Sequence, residues 1–252
     1  MKHVNEFIKD QNFSGKYSCF KWEESFVKAF WDFEAEFDWR YFTYAYGRNI
    51  AGLFKARFAG KSRILDYGAG KGFLAEQLLG QGIKVSCFDL SEESAKVLDA
   101  KFAGHPNYLG SFTPRNIEAN RGSFDAVFLI EVIEHLEDDA RKVVLGNMYE
   151  LLKPGGIAII STPNHEDLGR DLICNPVTKE VYHRWQHVYS WTAESLATEI
   201  SKMGFKISEV IETNLKYEGR GALWQARGFL KKVKAKIKGR RQEHLLLVAY
   251  KP

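Results

Sequence analysis

The chain is poor in cysteine. Its 252 residues include three, Cys19, Cys87 and Cys174, an odd number at wide spacing. That spacing fits neither a disulfide framework nor a paired-cysteine zinc motif, which excludes the small, disulfide-rich secreted class. A chain of this length buries roughly three quarters of its unfolded surface, so it needs no disulfide or structural metal to hold a core. We therefore expect a protein of a reducing compartment.

The chain also lacks long hydrophobic runs. None of its apolar stretches approaches the roughly 18 residues that a membrane span requires. The N-terminal segment MKHVNEFIKDQNF is too polar for a signal peptide. These absences predict a cytoplasmic protein, with peripheral binding to the inner face of a membrane as the open alternative.

One stretch lacks acidic residues altogether. Residues 219–241 contain nine Lys or Arg and no Asp or Glu, whereas the whole chain has a net charge of +4. Within the stretch, Leu223, Leu230 and Ile237 recur every seven residues. This pattern predicts an amphipathic helix that binds an anionic membrane surface. Contact with an RNA backbone and a plain solvated helix are the two alternatives.

Strand-like and helix-like segments alternate from residue 60 onward, and no internal repeat is seen. Alternation of this kind predicts a parallel sheet with helices on both faces. The sequence thus predicts an α/β, Rossmann-like domain with a seven-stranded, mostly parallel sheet. Strands are expected at 62–66, 84–89, 107–110, 124–130, 157–161, 205–211 and 244–250, and helices up to 79, from 91, at 138–152 and at 192–203.

We expect one domain with three parts: an N-terminal helical cap (1–59), a core (60–212 and 243–252) and a basic insertion (213–242). The cap is crowded with aromatic residues, and four of them recur at the spacing of an amphipathic helix, Phe26, Phe30, Phe33 and Phe37. These side chains either pack on the core or form an aromatic lid over a substrate pocket.

A glycine-rich loop, Asp66-Tyr67-Gly68-Ala69-Gly70-Lys71-Gly72, follows the first predicted strand. Glycines let the chain turn sharply and let backbone N–H groups approach a ligand at a helix N-terminus. A dinucleotide fingerprint would need glycine at position 73, where Phe73 stands, and the P-loop motif is absent. Asp89 ends the second strand, where an acid accepts hydrogen bonds from ribose hydroxyls. By itself the loop also fits a structural tight turn.

Together with the segments FDAVFLIEVIEHL (124–136) and LLKPGG (151–156), the loop resembles the class I S-adenosylmethionine-dependent methyltransferases over about residues 60–212. The resemblance implies a site for S-adenosylmethionine whose parts are Asp66, Gly68 and Gly70 at the methionine end, Asp89 at the ribose, Leu90 at the adenine, and Ile130 and Glu131 at the floor. The stretch between Gly110 and Arg115 departs from the family, because it has no acid for the adenine amino group.

Two carboxylates and an imidazole follow the fourth predicted strand: Glu131, Glu134 and His135. Open α/β sheets bind ligands at the carboxyl ends of their strands, so these groups are expected beside the donor. With His187 they predict a Mg²⁺ or Mn²⁺ site that orients an acceptor hydroxyl and lowers its pKa. Without a metal, His135 is the general base and Glu131 its catalytic neighbour. In a structural alternative, the two glutamates cap the next helix.

Three families share these motifs. The ExxEH segment resembles ubiquinone-biosynthesis O-methyltransferases. The segments 162–164 and 191–192, with His187 between them, resemble small-RNA 2′-O-methyltransferases, but Gln186 and Ser190 stand where that family has acids. The same string is similar to methyltransferases of bacterial surface glycans. These resemblances imply O-methylation of a small or lipid-linked glycan acceptor. The alternatives are a metal-dependent RNA 2′-O-methyltransferase, with nucleic acid the less favoured partner, and a non-catalytic donor-binding protein.

Overall fold

A computed structural model describes residues 1–10, 15–57, 63–217 and 241–252. Its centre is a seven-stranded sheet with the strand order β6-β7-β5-β4-β1-β2-β3. Strand β7 is antiparallel to both neighbours, and the pairs among β1 to β5 are parallel. The predicted α/β fold with a mostly parallel sheet is confirmed. The strands are β1 (Arg63–Tyr67), β2 (Lys84–Phe88), β3 (Tyr108–Phe112), β4 (Phe124–Ile130), β5 (Leu152–Pro163), β6 (Lys206–Thr213) and β7 (His244–Tyr250).

Helices cover both faces and form the N-terminal cap. Two of them begin where a hydroxyl side chain satisfies a free backbone N–H: Ser91 accepts from Ser94, and Thr192 accepts from Ser195. The helices are α1 (Val4–Asp10), α2 (Glu24–Glu34), α3 (Phe42–Arg57), α4 (Phe73–Leu79), α5 (Glu92–Lys101), α6 (Asp138–Leu151) and α7 (Ala193–Lys202). The predicted boundaries at 138–152 and 157–161 differ from these, because β5 already begins at Leu152, which pairs with Phe124.

Short strands attach the cap and the later loops to this core. Lys2–His3 pairs antiparallel with Tyr189–Ser190. Ser18–Cys19 pairs parallel with Glu180–His183, which in turn pairs antiparallel with Leu172–Cys174. The N-terminal segment is therefore joined by backbone hydrogen bonds to the loop that precedes α7.

Successive residues of β4 belong to opposite sides of the sheet. Val127 and Leu129 lie in one buried cluster, and Ala126 and Phe128 lie in the other. A strand that is buried on both faces has a continuous run of apolar residues in its sequence. The bounds of β4 could therefore be predicted correctly from the sequence. Burial of one such large side chain stabilises the fold by roughly 1.5–3 kcal/mol. The carboxyl end of β4 is thus held rigidly under the residues that follow it.

The aromatic helix α2 does not bury its rings in the core. Its buried residue is Glu34, whereas the side chains of Phe26 and Phe33 are 45% and 56% exposed. Of the two expectations for the cap, core packing is therefore wrong for these two residues. The predicted basic helix at 219–241 lies outside the described residues, apart from Arg241. Within the described ranges, no helix has the length and apolarity to cross a bilayer.

Candidate active site

The glycine loop after β1 turns through three left-handed residues, Gly68, Gly70 and Gly72. The N–H of Gly68 donates to the carbonyl of Phe88 at the end of β2, at 2.9 Å. The N–H of Gly70 donates to Oδ2 of Asp89 at 3.2 Å. The structure therefore brings the two predicted parts of the donor site, the loop and the acid, into direct contact.

Asp89 is held by the backbone around it. Its Oδ1 accepts from the N–H of Ser91 at 3.1 Å. Burial raises the pKa of its carboxyl, and hydrogen bonds from Ser91 and Gly70 oppose the shift. The next residue, Leu90, is 73% exposed, an open apolar surface at the end of β2 that suits a flat base. Ile130, which was predicted to lie at the floor of the donor site, is buried.

Asp66 lies beneath the loop, and the structure buries it fully. The backbone N–H of Ala75 in α4 acts to lower the pKa of the carboxyl, while Oδ2 has no hydrogen-bond partner. Burial raises the pKa of Asp66 to about 7. A buried oxygen without a partner is costly unless a ligand supplies a donor. The position fits the predicted role at the amino end of the methionine group.

A second cluster lies at the carboxyl ends of β4 and β5. Glu134 and His135 sit on a short 3₁₀ turn after β4 (Ile133–His135), and His187 lies in the loop before α7. Each of the three offers one ligand atom, and these atoms lie within 4.8 Å of one another. The N–H of Val188 donates to the carbonyl of Glu134 at 2.8 Å, which ties the two segments together.

The hydrogen bonds of His135 and Glu134 leave one free acceptor on each. His135 Nδ1 lies 3.3 Å from the carbonyl oxygen of Gln186, and since a carbonyl only accepts, Nδ1 carries the proton and Nε2 has the lone pair. Thr162 Oγ1 donates to Oε2 of Glu134 at 3.0 Å, while Oε1 is buried without a partner. This Oε1 faces His135 Nε2 at 4.0 Å. When Glu134 is ionised, these two acceptors face each other without a donor between them, which leaves a place for a cation or a hydroxyl.

Without a cation beside them, burial disfavours the charged form of each of these groups. It raises the pKa of Glu134 well above its ordinary value and lowers that of His135 well below. It also lowers the pKa of His187 to about 4. Neutral imidazoles keep a lone pair for a proton or a metal at neutral pH.

Glu131, predicted as both a catalytic residue and a ligand, lies apart from this triad. It has a left-handed backbone, with φ at 52°. Its Oε1 accepts from Ser161 Oγ at 2.7 Å, and burial raises the pKa of its carboxyl to about 8. Three of the four predicted metal ligands, Glu134, His135 and His187, therefore lie together. The side chain of Glu131 is hydrogen-bonded to β5 instead.

Glu166 and His183, which were not predicted from the sequence, form a second group of possible ligands with His187. His187 Nδ1 is 2.6 Å from Glu166 Oε2. The spacing of His183 and His187, four residues apart, is the only sequence feature that points to this group. Glu166 follows Asn164 and His165 without a recognisable motif.

Two cap aromatics were also missed. The ring of Trp31 meets that of His135 edge-on at 4.8 Å, and Trp31 Nε1 donates to Oε1 of Gln186 at 3.1 Å. Tyr41 lies over the donor loop, so close that a Cβ on Gly70 would stand 2.8 Å from its ring. The cap thus contacts both halves of the site, as the aromatic-lid hypothesis predicts.

Residues other than glycine with a left-handed backbone conformation are concentrated around the strand ends that hold Glu134, His135 and His187. Among the described residues other than glycine, four have positive φ, and three of them are Glu131, His165 and Gln186. Each such residue costs of order 1–3 kcal/mol, and strain of this kind gathers at functional sites. Its concentration around one cluster supports a functional rather than a structural role for it.

Comparisons with known proteins agree with this geometry. The family described as a methyltransferase domain matches residues 39–210. A ubiquinone biosynthesis O-methyltransferase of Vibrio cholerae is 33% identical over 144 residues, which are 56% of this chain and 58% of that protein. Its namesake from Nitrosococcus oceani is 37% identical over 148 residues, covering 56% and 59%. The chain thus matches a little over half the length of these relatives.

The fold is similar to that of a solved Burkholderia thailandensis enzyme, 1,6-didemethyltoxoflavin-N1-methyltransferase with bound S-adenosylhomocysteine. The TM-score is 0.58 at 18% identity, over 90% of this chain and 85% of that one. The sheet order and the loop with Asp89 define a class I methyltransferase fold. The chain belongs to the methyltransferase domain family, and the resemblance inferred from the sequence is confirmed.

Proposed function

We propose that this chain is an S-adenosylmethionine-dependent O-methyltransferase that acts on a hydroxyl of a small-molecule or lipid-linked acceptor. The observation that carries the proposal is the triad of Glu134, His135 and His187 at the strand ends that follow the donor loop. The names of the ubiquinone-biosynthesis relatives support oxygen as the methylated atom. An intact cluster of this kind speaks against a non-catalytic donor-binding protein.

The donor half is supported by three features. Asp89 offers carboxylate oxygens to the ribose, Leu90 offers an apolar face to the adenine, and the unpartnered Oδ2 of Asp66 offers an acceptor to the amino group. When bound, S-adenosylmethionine supplies a methyl group on a sulfonium, which is already reactive. The chain then has to place an acceptor oxygen in line with that methyl and exclude water.

On the acceptor side, His135 Nε2 has the lone pair that would take the hydroxyl proton as the acceptor oxygen bonds to the methyl carbon and the bond from that carbon to sulfur breaks. Burial keeps that imidazole neutral and ready as a base. The orphaned Oε1 of Glu134 accepts a hydrogen bond from the acceptor or binds a cation. Trp31, edge-on to His135, limits the space on the cap side.

The same three side chains fit a divalent metal ion. Two imidazoles and one carboxylate favour a first-row ion such as Mn²⁺, Co²⁺ or Zn²⁺ over the Mg²⁺ that an oxygen-rich set would take. Such an ion would lower the pKa of the acceptor hydroxyl. His187, as the third ligand, is the feature that favours the RNA 2′-O-methyltransferase alternative, whose metal site includes a later histidine.

The lipid-linked acceptor and the anionic membrane partner rest on the sequence of residues 219–241 alone. We expect the full-length protein to co-sediment with anionic vesicles and not with neutral ones. If it ignores anionic vesicles and binds single-stranded RNA tightly, the RNA alternative takes the place of the lipid-linked one.

The deciding experiment is methyl transfer from labelled donor to a panel of acceptors: a polyprenylated catechol, a lipid-linked glycan and a short RNA. We expect Glu134→Gln to lower turnover by roughly 10²- to 10⁴-fold, because the amide can still accept from Thr162 but cannot bind a cation as a carboxylate does. Glu93→Gln, on an exposed carboxylate, is the matched control. Full turnover in the presence of a chelator would show that no metal ion is needed, and His135 would then act as a general base alone. Failure to bind S-adenosylhomocysteine refutes the proposal.

A further inference from the structure

Glu166 lies beside two histidine rings at the edge of the triad. Its Oε2 is 2.6 Å from His187 Nδ1, and its Oε1 is 3.7 Å from His183 Nε2. The two rings stack on each other at 4.7 Å with 22° between their planes. The carboxylate thus spans the edge of a histidine pair, and one member of that pair belongs to the triad.

The hydrogen bonds assign a proton to each ring. His183 Nδ1 accepts from the backbone N–H of His187 at 3.3 Å, so the proton of a neutral His183 is on Nε2, facing Glu166. A carboxylate only accepts, so the proton of His187 is on Nδ1. His187 Nε2 is then left with its lone pair, as is Nε2 of His135.

The position of Glu166 is fixed independently of the histidines. Ser190 Oγ donates to its backbone carbonyl at 2.7 Å. The neighbouring residues add a β-bridge between Asn164 and Trp191 and a 2.7 Å hydrogen bond from the N–H of His165 to the carbonyl of Trp191. The chain after β5 is therefore laid alongside the segment that contains His187, with Glu166 pointing at it.

We propose that Glu166 is a positioning residue for His187. By accepting the Nδ1 proton, it holds the ring in the tautomer and orientation that present Nε2 to Glu134 and His135. The inference rests on the proposed function of the triad, since it explains how the third member is made ready. A carboxylate behind a ligating or catalytic imidazole raises the basicity of the ring and fixes its orientation.

The tautomer itself provides the test. In protein labelled with ¹⁵N-histidine, two-bond ¹⁵N–¹H correlations distinguish Nδ1–H from Nε2–H, and His187→Gln identifies the signals of His187. We expect Nδ1–H in the wild-type protein and in Glu166→Gln, whose amide oxygen can still accept, and a shift to Nε2–H in Glu166→Ala. Asp167→Asn, at the adjacent exposed acid, should leave the signals unchanged. Nε2–H in the wild-type protein, or no shift in Glu166→Ala, overturns the proposal.

Cobalt binding adds a second readout. We expect Glu166→Ala to weaken Co²⁺ binding to the full chain by about 10- to 100-fold, Glu166→Gln to weaken it less, and Asp167→Asn to leave it unchanged. Equal affinity in all four proteins contradicts the positioning role. If the wild-type protein binds no Co²⁺ but Glu166→Ala changes the tautomer of His187 as expected, the positioning role of Glu166 is supported. The proposed function then no longer includes a metal ion.

Discussion

The third glycine of the donor loop is expected to serve packing. Gly72 has φ at +74°, and a Cβ added there would lie 2.7 Å from Leu98 Cδ2 and 2.8 Å from Phe102 Cε2. Both neighbours are buried, with exposures of 0% and 7%, so neither can swing into solvent. We therefore expect Gly72→Ala to destabilise the protein strongly.

A second glycine separates the two causes of this loss. Gly82 has φ at +77° but no atom within 4 Å of an added Cβ. Gly82→Ala should cost only the roughly 1–2 kcal/mol of a left-handed residue with a side chain. Gly72→Ala should cost a further 1–3 kcal/mol or so, the usual effect of overpacking a core. The difference between the two variants is the quantity predicted.

Urea unfolding followed by far-UV circular dichroism measures that difference. The two variants should have equal m-values, because neither changes the surface exposed on unfolding. If the free energies of unfolding of Gly72→Ala and Gly82→Ala agree within about 0.5 kcal/mol, an additive error of the size usual for independent sites, then the contact of Gly72 with α5 is not what requires glycine.

Three other predictions follow from single residues. Asp89→Ala should weaken binding of S-adenosylhomocysteine by ~1.5–3 kcal/mol in calorimetry, the value of a charge-assisted hydrogen bond; a response to NAD instead would refute the donor site. Trp31→Phe keeps an aromatic ring beside His135 but loses the hydrogen bond from the indole N–H to Gln186. KM for the acceptor should therefore rise, while the affinity for the donor should not change. An unchanged KM would show that the cap does not help to bind the acceptor. Burial lowers the pKa of His244 to about 4. Between roughly pH 6.5 and pH 4, the unfolded chain therefore binds a proton at this residue and the folded chain does not. Acidification through this range should destabilise the fold by up to about 1.4 kcal/mol per pH unit. His244→Phe should reduce the loss of stability between about pH 7.5 and about pH 5 in urea unfolding by the contribution of this one histidine, while the other buried histidines still contribute theirs. The same loss in both proteins would show that His244 does not take up a proton on unfolding.

The sequence predicted those parts of the molecule that depend on neighbouring residues. The apolar run of β4 and the starts of α5 and α7 are local, and the structure has them within a residue of where they were expected. Gly70 and Asp89 meet because two adjacent parallel strands end side by side, which the topology of such sheets requires. Glu134 and His135 are neighbours in the chain, so their common location needed no knowledge of the fold.

The remaining parts depend on contacts between distant segments. Glu166 acts on His187 only because the segment after β5 runs beside the one before α7, and no periodicity reports that pairing. The amphipathic spacing of α2 indicated a helix, but its apolar face is partly solvent-exposed and partly set against His135. Glu131 was grouped with the triad by its closeness in sequence, yet its left-handed backbone aims the side chain at Ser161.

The contact between Trp31 and His135 shows that the N-terminal cap reaches the proposed acceptor side of the site, whereas most of the proposed donor side comes from another part of the chain. Most of the proposed donor groups come from one short stretch, residues 66–90, in which Gly68, Gly70 and Gly72 have left-handed backbone. The acceptor side is assembled from the cap and from loops that follow other strands. Substitutions in α2 can therefore reshape what reaches His135 without disturbing the nucleotide half. If the proposed function holds, we expect a chimera that carries the cap of a relative to change its affinity for acceptors more than its affinity for S-adenosylmethionine.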